Sequence, residues 1–323
     1  MKEFSEKIEK YLLQKMKKSP LSLTIITTTQ PFLGKSALLR ILPLAFESLG
    51  VRSMATFVET KDTSMVIDPA VALAPERYGL PPHPLEEKAK AELWYLIKNY
   101  VAKSRAIIVT HYHFDHFDPN EPEIYSGKKV FLKDPKRMIN TSQRERVKPF
   151  LKTLKEARVE MEIADGGVFQ LDDAELRFSK AVPHGFSAER GYVVEVSVRA
   201  DGTFLYTSDV QGPLLDEQVN FILDEKPDIL FVDGPTTYLE THYTLIELKS
   251  AMKNLFRVIK ENNLKRMVID HHLTRDLNYA EKINSVFEYG AENGVDVGCA
   301  AQFLNEQPRL FEARRKELYS TTR

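Results

Sequence analysis

The sequence of 323 residues has very little cysteine. Cys299 is the single one, which excludes an internal disulfide framework and suits a reducing compartment. We expect its side chain to be buried as a small apolar group. Repeats at solenoid period and low-complexity tracts are also missing from the sequence, so we expect an ordinary globular protein.

Long hydrophobic runs are missing as well. The longest, LLRILPLAF, is interrupted by Arg40 and Pro43 and falls far short of the roughly 20 residues that span a bilayer. The opening residues, MKEFSEKIEKYLLQKMKKSP, carry a charge every few positions and hold no apolar segment of signal-peptide length. We therefore expect a cytoplasmic protein with no membrane partner.

An excess of charge of one sign is absent too. The 45 Lys and Arg residues nearly balance the 46 Asp and Glu residues, so global electrostatics gives no reason to expect a nucleic-acid partner. The length fits one large domain or two joined halves, because α/β sandwiches often pass about 200 residues as one unit. We expect a single domain over 1–323, with an N-terminal helix at about 1–19 and a C-terminal extension at about 300–323. The sequence leaves homo-oligomerisation open.

What the sequence does contain is a series of strand-like runs rich in Val, Ile, Phe and Tyr, which indicates an α/β fold. The predicted strands are LTIITT (22–27), SMATFVE (53–59), SMVID (64–68), AIIVT (106–110), KVFL (129–132), ELRFSKAV (175–182), YVVEVSV (192–198), TFLYTS (203–208), DILFVD (228–233) and RMVID (266–270). Apolar residues at helical spacing predict a helix from Pro84 to Lys103. A second helix is predicted after Thr244, where TLIE forms a capping box, and ends at Asn262.

The second helix lies between the predicted strands DILFVD and RMVID. The simplest connection is a parallel crossover, which brings the carboxyl ends of both strands to the same sheet edge. We therefore expect the polar side chains that follow these strands to gather along that edge: Asp233, His242, His271 and His272.

Histidine and aspartate follow other apolar runs in the same way. The stretch THYHFDHFD at 110–118 holds three histidines and two aspartates directly after AIIV. Later runs lead to His184, Asp209 and His271, and such an edge is where α/β sheets usually place their sites. Histidine nitrogen and carboxylate oxygen suit Zn²⁺ and similar ions, and a two-metal site needs about three or four protein ligands per ion. The sequence therefore predicts a dinuclear metal site, whereas His83, in GLPPHPLEE, is expected to be an exposed loop residue.

The order His-x-His-x-Asp-His after a strand, with a following His, Asp and His, resembles the metallo-β-lactamase superfamily over roughly residues 22–276. The resemblance implies an αββα sandwich that holds two Zn²⁺ ions at one sheet edge, with Mn²⁺ or iron as alternatives. Its implied ligands are His111, His113 and His184 for one ion, Asp115, His116 and His271 for the other, and Asp209 as a bridge. Asp68 matches an aspartate that comes early in the family's motif order and orients the ligands without binding the metal itself.

The C-terminal part resembles ribonuclease Z in particular. The segment MVIDHHLTRD resembles its His-Phe-Ser-x-Arg pattern, with His271 in the ligand place, Arg275 as the arginine and His272 as the alternative ligand. His242-Tyr243-Thr244 stands where that family has His-Ser-Thr. This implies His242 as the proton donor to the leaving group, paired with Asp233, while a helix-capping role is the alternative.

The implied catalytic residues are thus Asp115, His242 and Asp233. The implied nucleophile is a hydroxide bridging the two ions, a scheme that serves phosphodiesters, lactones and thioesters alike. The sequence departs from ribonuclease Z in having no obvious Gly-rich arm for tRNA, which weakens the inference of a tRNA substrate.

One basic stretch favours a phosphate-containing substrate. Residues 128–158 hold eleven Lys or Arg against three Asp or Glu, and clustered basic groups bind phosphate backbones, although a solvated helix face is the alternative. Ser142, Gln143 and Arg144 are the predicted substrate contacts. We expect a metal-dependent hydrolase of an RNA or nucleotide-like phosphodiester. The alternatives are a lactonase or other carboxylic-ester hydrolase, and a non-catalytic binding protein with a vestigial site.

Overall fold

The computed structural model describes residues 39–239 and 243–321. Its strands, numbered along the chain, are β1 Arg40–Phe46, β2 Met54–Glu59, β3 Ser64–Ile67, β4 Ala106–Val109, β5 Lys129–Leu132, β6 Glu160–Ile163, β7 Val168–Leu171, β8 Ala174–Phe178, β9 Val182–Pro183, β10 Tyr192–Val193, β11 Val196–Arg199, β12 Thr203–Tyr206, β13 Ile229–Asp233, β14 Arg266–Asp270 and β15 Asp296–Gly298. Its helices are α1 Pro84–Lys103, α2 Thr141–Glu156, α3 Asp216–Glu225, α4 Leu245–Glu261, α5 Tyr279–Lys282, α6 Asn284–Glu292, α7 Ala300–Phe303 and α8 Arg315–Thr321.

The first sheet has six strands in the order β1-β2-β3-β4-β5-β6. Strands β1 to β3 are antiparallel neighbours, whereas β3 to β6 run parallel. Parallel neighbours need a crossover connection, and α1 joins β3 to β4 while α2 joins β5 to β6. The carboxyl ends of β3 and β4 therefore lie at the same edge.

The second sheet has seven strands in the order β15-β14-β13-β12-β11-β8-β7. Strands β12 to β15 are parallel, and α4 crosses from β13 to β14, as the sequence predicts. Asp233 is in register with Asp270, so these two strands end level with each other. Both predicted helices are confirmed, including the capping box, in which the Thr244 side chain accepts from the Glu247 N–H at 3.3 Å.

The two sheets pack face to face, and helices cover both outer faces. In β4, Ala106 and Ile108 belong to the core between the sheets, whereas Ile107 and Val109 belong to the core beneath α1 and α2. A third core lies between the second sheet and helices α3, α4 and α6. Because successive strand residues face opposite sides, strands that are apolar at every position can be buried on both faces. The predicted αββα sandwich is confirmed.

Strand β1 was not expected, because Arg40 and Pro43 interrupt its apolar run. It lies at the edge of the sheet, where proline is tolerated, and its register shifts between Pro43 and Ala45. The predicted strands 175–182 and 192–198 each divide in two, and β9 pairs with β10 as a separate ribbon. The predicted strand at 22–27 and the helix at about 1–19 lie outside the described residues.

The expectation that His83 is an exposed loop residue is wrong. It is buried and forms the N-cap of α1, where its Nδ1 accepts from the Leu85 N–H at 3.3 Å. Its own N–H donates to Glu86 Oε2 at 2.8 Å. Cys299, by contrast, is fully buried as expected.

The C-terminal segment is attached to the sandwich by two ion pairs, one fully buried and one partly buried. Arg315 is fully buried and donates to both Glu86 oxygens at 2.8 and 2.7 Å. Arg52 and Glu312 form a second two-contact pair at 2.6 and 2.7 Å. Among the helices of residues 39–239 and 243–321, none has both the length and the apolar character to cross a bilayer.

Candidate metal centre

Histidine and aspartate side chains converge at the edge where the strands of both sheets end. Asp68 follows β3, the His111–His116 loop follows β4, His184 follows β9, and the His271–His272 pair follows β14. Asp209 lies three residues beyond β12. Parallel strands place their carboxyl ends together, which is why residues distant in sequence meet here.

One group of side chains forms the first half of the site. Its members offer one nitrogen or oxygen each, and these atoms all lie within 4.8 Å of one another. The members are His111, His113, His184 and Asp209. The rings of His113 and His184 are 4.8 Å apart, so the loops after β4 and β9 are in direct contact.

A second group lies beside the first. Asp115, His116 and His271 also place ligand-type atoms within 4.8 Å of one another. The His116 and His271 rings are 5.2 Å apart, and Asp115 Oδ2 lies 3.8 Å from His271 Nε2. Both groups contain the residues that the family resemblance implies.

Asp209 lies between the two groups and directs one oxygen to each. Its Oδ2 is 3.0 Å from His184 Nε2 and 3.6 Å from His111 Nε2. Its Oδ1 is 2.9 Å from His116 Nε2 and 3.3 Å from His271 Nε2. A carboxylate in this position can bridge two cations.

These side chains fit a metal site because several of their buried polar atoms have no hydrogen-bond partner. Among the described residues, such atoms at this edge include His111 Nε2, His116 Nε2 and Asp209 Oδ1, the last two lying 2.9 Å apart without hydrogen-bond geometry. A buried polar atom without a partner costs about 1–3 kcal/mol. Coordination of a cation would satisfy them, and imidazole with carboxylate is a donor set of the zinc type.

Asp68 orients His116 of the second group by contacting the ring nitrogen that points away from Asp209. Its Oδ2 lies 2.8 Å from His116 Nδ1 and accepts from the hydroxyls of Tyr206 and Thr110 at 2.8 and 2.6 Å. Its Oδ1 accepts from the Thr110 N–H at 2.8 Å. A proton on His116 Nδ1 leaves Nε2 free to act as a ligand.

Glu47 holds His271 in the same manner, and sequence reasoning missed it. Its Oε2 lies 2.7 Å from His271 Nδ1, while its Oε1 accepts from Arg275 Nε at 2.8 Å. Arg275 Nη2 lies 3.6 Å from Asp115 Oδ2. Glu47 follows β1 directly, so it obeys the same strand-end rule as the other site residues.

Backbone strain accompanies the site. Asp68, Ser208 and His271 have φ angles of 50°, 58° and 60°, a region that costs non-glycine residues about 1–3 kcal/mol each. Hydrogen bonds offset that cost, since Ser208 Oγ lies 3.2 Å from His111 Nδ1 and the His271 N–H donates to Asp270 at 2.7 Å. These turns redirect the chain so that the side chains face one another.

His272 lies next to the cluster but has other partners. Its Nδ1 is 3.0 Å from both oxygens of Asp233, and its Nε2 is 3.3 Å from Gln211 Nε2. His271 Nε2 lies 3.3 Å from Asp209 Oδ1, and Asp209, His271 and His272 also place ligand-type atoms within 4.8 Å of one another, so the assignment of the last ligand to His271 stays a prediction. The pairing of Asp233 with His272 was not predicted, and His242 lies outside the described residues.

In the first ligand group, the protonated forms of His111 and His113 are disfavoured. Burial lowers the pKa of His111 well below its usual value, and the neighbouring His116 lowers it further. Burial and the adjacent His184 lower the pKa of His113 to about 3. Both rings therefore keep the neutral form that binds metals.

The carboxylates make this edge attractive to cations. Burial lowers the pKa of His116, but Asp209 and Asp68 outweigh it and raise that pKa to about 10. Burial opposes a proton on His271 too, yet Glu47 and Asp209 raise its pKa well above the usual value. Positive charge is thus favoured where the second group meets Asp209.

The three predicted substrate contacts lie on the first turn of α2, with different surroundings. Ser142 and Arg144 are exposed. Gln143 is fully buried, and its amide exchanges hydrogen bonds of 3.0 and 3.1 Å with the backbone of Tyr192. These two hydrogen bonds attach Gln143 to the loop after His184, and its role as a substrate contact stays a prediction.

The αββα sandwich, with the two groups of ligand-type side chains at its edge, defines a protein of the metallo-β-lactamase fold. Among solved structures, unliganded yeast PDE1 aligns with a TM-score of 0.51 at 12% identity, over 80% of this chain and 96% of that chain. At this identity the likeness shows the fold alone. No protein-family model matches the sequence.

The chain belongs to the UPF0282 family. The UPF0282 protein of Korarchaeum cryptofilum is 47% identical over 284 residues, covering 87% of this chain and 94% of the relative. The UPF0282 protein of Sulfurisphaera tokodaii is 45% identical over 287 residues, with 87% and 93% covered. These relatives are archaeal.

Proposed function

We propose that the protein is a metal-dependent phosphodiesterase of RNA or nucleotide-like substrates. The observation that carries the hydrolase part is Asp209, whose two oxygens face two separate sets of histidine nitrogens. Two ions held by these groups would supply a nucleophilic hydroxide at neutral pH and offset negative charge in the transition state. The donor set suits two Zn²⁺, with Mn²⁺ or iron as alternatives.

The chain's own residues would keep these ligands in place. Asp68 and Glu47 fix the rings of His116 and His271 by hydrogen bonds to Nδ1. Such partners fix the tautomer and the ring orientation of a ligand. The site thereby presents Nε2 atoms to the reaction centre without reorganisation.

Positive charge near the site supports a phosphate-containing substrate. Several basic residues between 128 and 158 are neutralised locally, since Lys133 pairs with Asp165 at 2.7 Å and Lys148 with Glu145 at 2.6 Å. Arg144 and Arg146 make no ion pair within residues 39–239 and 243–321. Guanidinium groups bind phosphate oxygens with good geometry.

His242 is the proposed proton donor to the leaving group. Its described neighbour Tyr243 donates to the Gln211 carbonyl at 3.2 Å, and Gln211 contacts His272 beside the site. Replacement of His242 with Ala should therefore lower turnover and leave the metal content unchanged. Loss of metal from this variant would make His242 a ligand instead.

A substrate panel tests the proposal. The metal-replete protein should hydrolyse bis(p-nitrophenyl) phosphate and labelled RNA, and it should leave simple lactones intact. Hydrolysis of lactones without phosphodiesters would show a carboxylic-ester hydrolase. No turnover of either class with Zn²⁺ or Mn²⁺ bound would show a binding protein.

A further inference from the structure

Phe114 is an exposed aromatic residue inside the ligand loop. It stands between His113 of the first ligand group and Asp115 of the second, and consecutive Cα atoms are only about 3.8 Å apart. Its side chain is 48% exposed, although both neighbours turn into the site. A large apolar ring is thus available at the rim of the candidate metal centre.

Arg146 lies over the ring of Phe114, with its guanidinium carbon 5.0 Å from the ring centroid. Its Nη1 donates to the Tyr112 carbonyl at 3.4 Å, and the residue is partly buried. It makes no ion pair within residues 39–239 and 243–321, whereas Lys148, two positions along the same helix, pairs with Glu145. The guanidinium is therefore oriented by the protein while its charge is left uncompensated by a carboxylate.

Contacts at the start of α2 fix Arg146 on the site side. The Gln143 amide holds the Tyr192 backbone, and Asn140 Nδ2 donates to the Glu189 carbonyl at 2.9 Å. Gly191 makes this approach feasible, because it has φ of +98° and a Cβ there would lie 2.1 Å from the Gln143 amide oxygen. The first turn of α2 is thereby docked on the segment that follows His184.

That segment carries a second exposed ring. Phe186 is 46% exposed and lies two residues beyond the ligand His184, whose ring touches that of His113. Phe114 and Phe186 are thus attached to two loops that meet at the first ligand group. A flat apolar group of a substrate would find aromatic surface here.

We propose that Arg146 and Phe114 form the nucleotide-binding wall of the site. The guanidinium binds phosphate oxygens, and the exposed ring stacks on a nucleobase, as aromatic side chains do for single-stranded nucleic acids. The choice of ligand rests on the proposed phosphodiesterase function. It narrows the substrate class to phosphodiesters that carry a nucleobase, and it adds Arg146 as the phosphate contact that the protein orients.

Calorimetric binding of two probes to the metal-loaded full chain tests this proposal. Adenosine 5′-monophosphate carries phosphate and base, whereas ribose 5-phosphate lacks the base. We expect the wild type to bind the first about tenfold more tightly, the size of one stacking contact. Phe114→Ala should remove most of that difference, and Arg146→Met should weaken both probes by about tenfold or more.

Lys152→Met is the matched control, because Lys152 lies on the same helix, is exposed to solvent and pairs with Glu156. It should bind both probes within about twofold of the wild type, and all variants should keep the wild-type metal content. Equal wild-type affinities for the two probes, or an Arg146→Met protein that binds as Lys152→Met does, would overturn the proposal. Turnover of bis(p-nitrophenyl) phosphate is measured separately, so its absence refutes the proposed function without deciding the binding result.

Discussion

Glu47 and His271 are joined by a contact of 2.7 Å between Oε2 and Nδ1, although they are 224 residues apart in sequence. Glu47 follows β1 of the first sheet, and His271 follows β14 of the second. The backbone is linked at the same place, since the Ser48 N–H donates to Asp270 at 3.2 Å. The position of His271, a candidate ligand, therefore depends on how the two sheets pack.

Replacement of Glu47 should weaken metal binding at the second ligand group. Loss of a carboxylate that orients a ligating histidine typically costs about 10- to 100-fold in affinity. We expect that loss for Glu47→Ala and a smaller one for Glu47→Gln, whose amide oxygen can still accept from His271. Competition with a chromophoric chelator measures both affinities.

Glu59→Gln is the control for Glu47, because Glu59 forms only a partly exposed pair with Arg40. Its metal affinity should equal that of the wild type. Unchanged affinity in folded Glu47→Ala protein would contradict the role assigned to Glu47. The thermal transition of each variant shows whether the protein is folded.

Replacement of His271 and replacement of His272 should have different effects on the metal content. His271→Ala removes a nitrogen that faces Asp209 at 3.3 Å and should lower the metal content from about two ions per chain to about one. His272→Ala removes the partner of Asp233 and should leave the metal content unchanged. The opposite pattern would place His272 in the ligand shell.

Much of the site was predictable because its ligands share a local rule. His111, Asp209 and His271 each follow an apolar strand, and the parallel crossover around α4 places the ends of β13 and β14 together. Glu47 also follows a strand, but Arg40 and Pro43 interrupt the apolar run of that strand, so the sequence pattern did not predict it. A bulge on an edge strand absorbs such interruptions, and sequence periodicity alone does not show which strand is at an edge.

Other contacts depend on packing that no local pattern encodes. Gln143 stood in a polar run, which favoured a surface role, yet its amide is buried against Tyr192. His83 preceded a proline-rich start of a helix and became its N-cap. Asp233 was matched to His242 by order along the chain, and its contact with His272 required the turn after β14.

Arg315→Met should strongly destabilise the protein. Arg315 is fully buried with both oxygens of Glu86, and the loss of one partner of a buried pair costs about 3–5 kcal/mol. Arg314→Met is the control, since Arg314 pairs with Glu317 at the surface, where such pairs contribute little to stability. Urea denaturation gives both free energies of unfolding, and equal values would refute the structural role of Arg315.

The Glu312 ion pair should make stability depend on pH. Burial favours a higher pKa for Glu312, but the Arg52 guanidinium outweighs it and lowers that pKa below its usual value. A carboxyl with a lowered pKa in the folded state stabilises above its unfolded pKa of about 4.3 and loses that effect as the pH falls. The difference in unfolding free energy between wild type and Glu312→Gln should therefore be largest at neutral pH and shrink below about pH 4.3. A difference that stays constant with pH would contradict this assignment.

The metal content of the purified full-length protein is the most direct test of the candidate centre. After metal-replete expression and removal of loosely bound ions, elemental analysis should find about two transition-metal ions per chain. Asp209→Ala, which removes the carboxylate between the two ligand groups, should lower that number. A wild-type protein that retains no ion under these conditions would contradict the account.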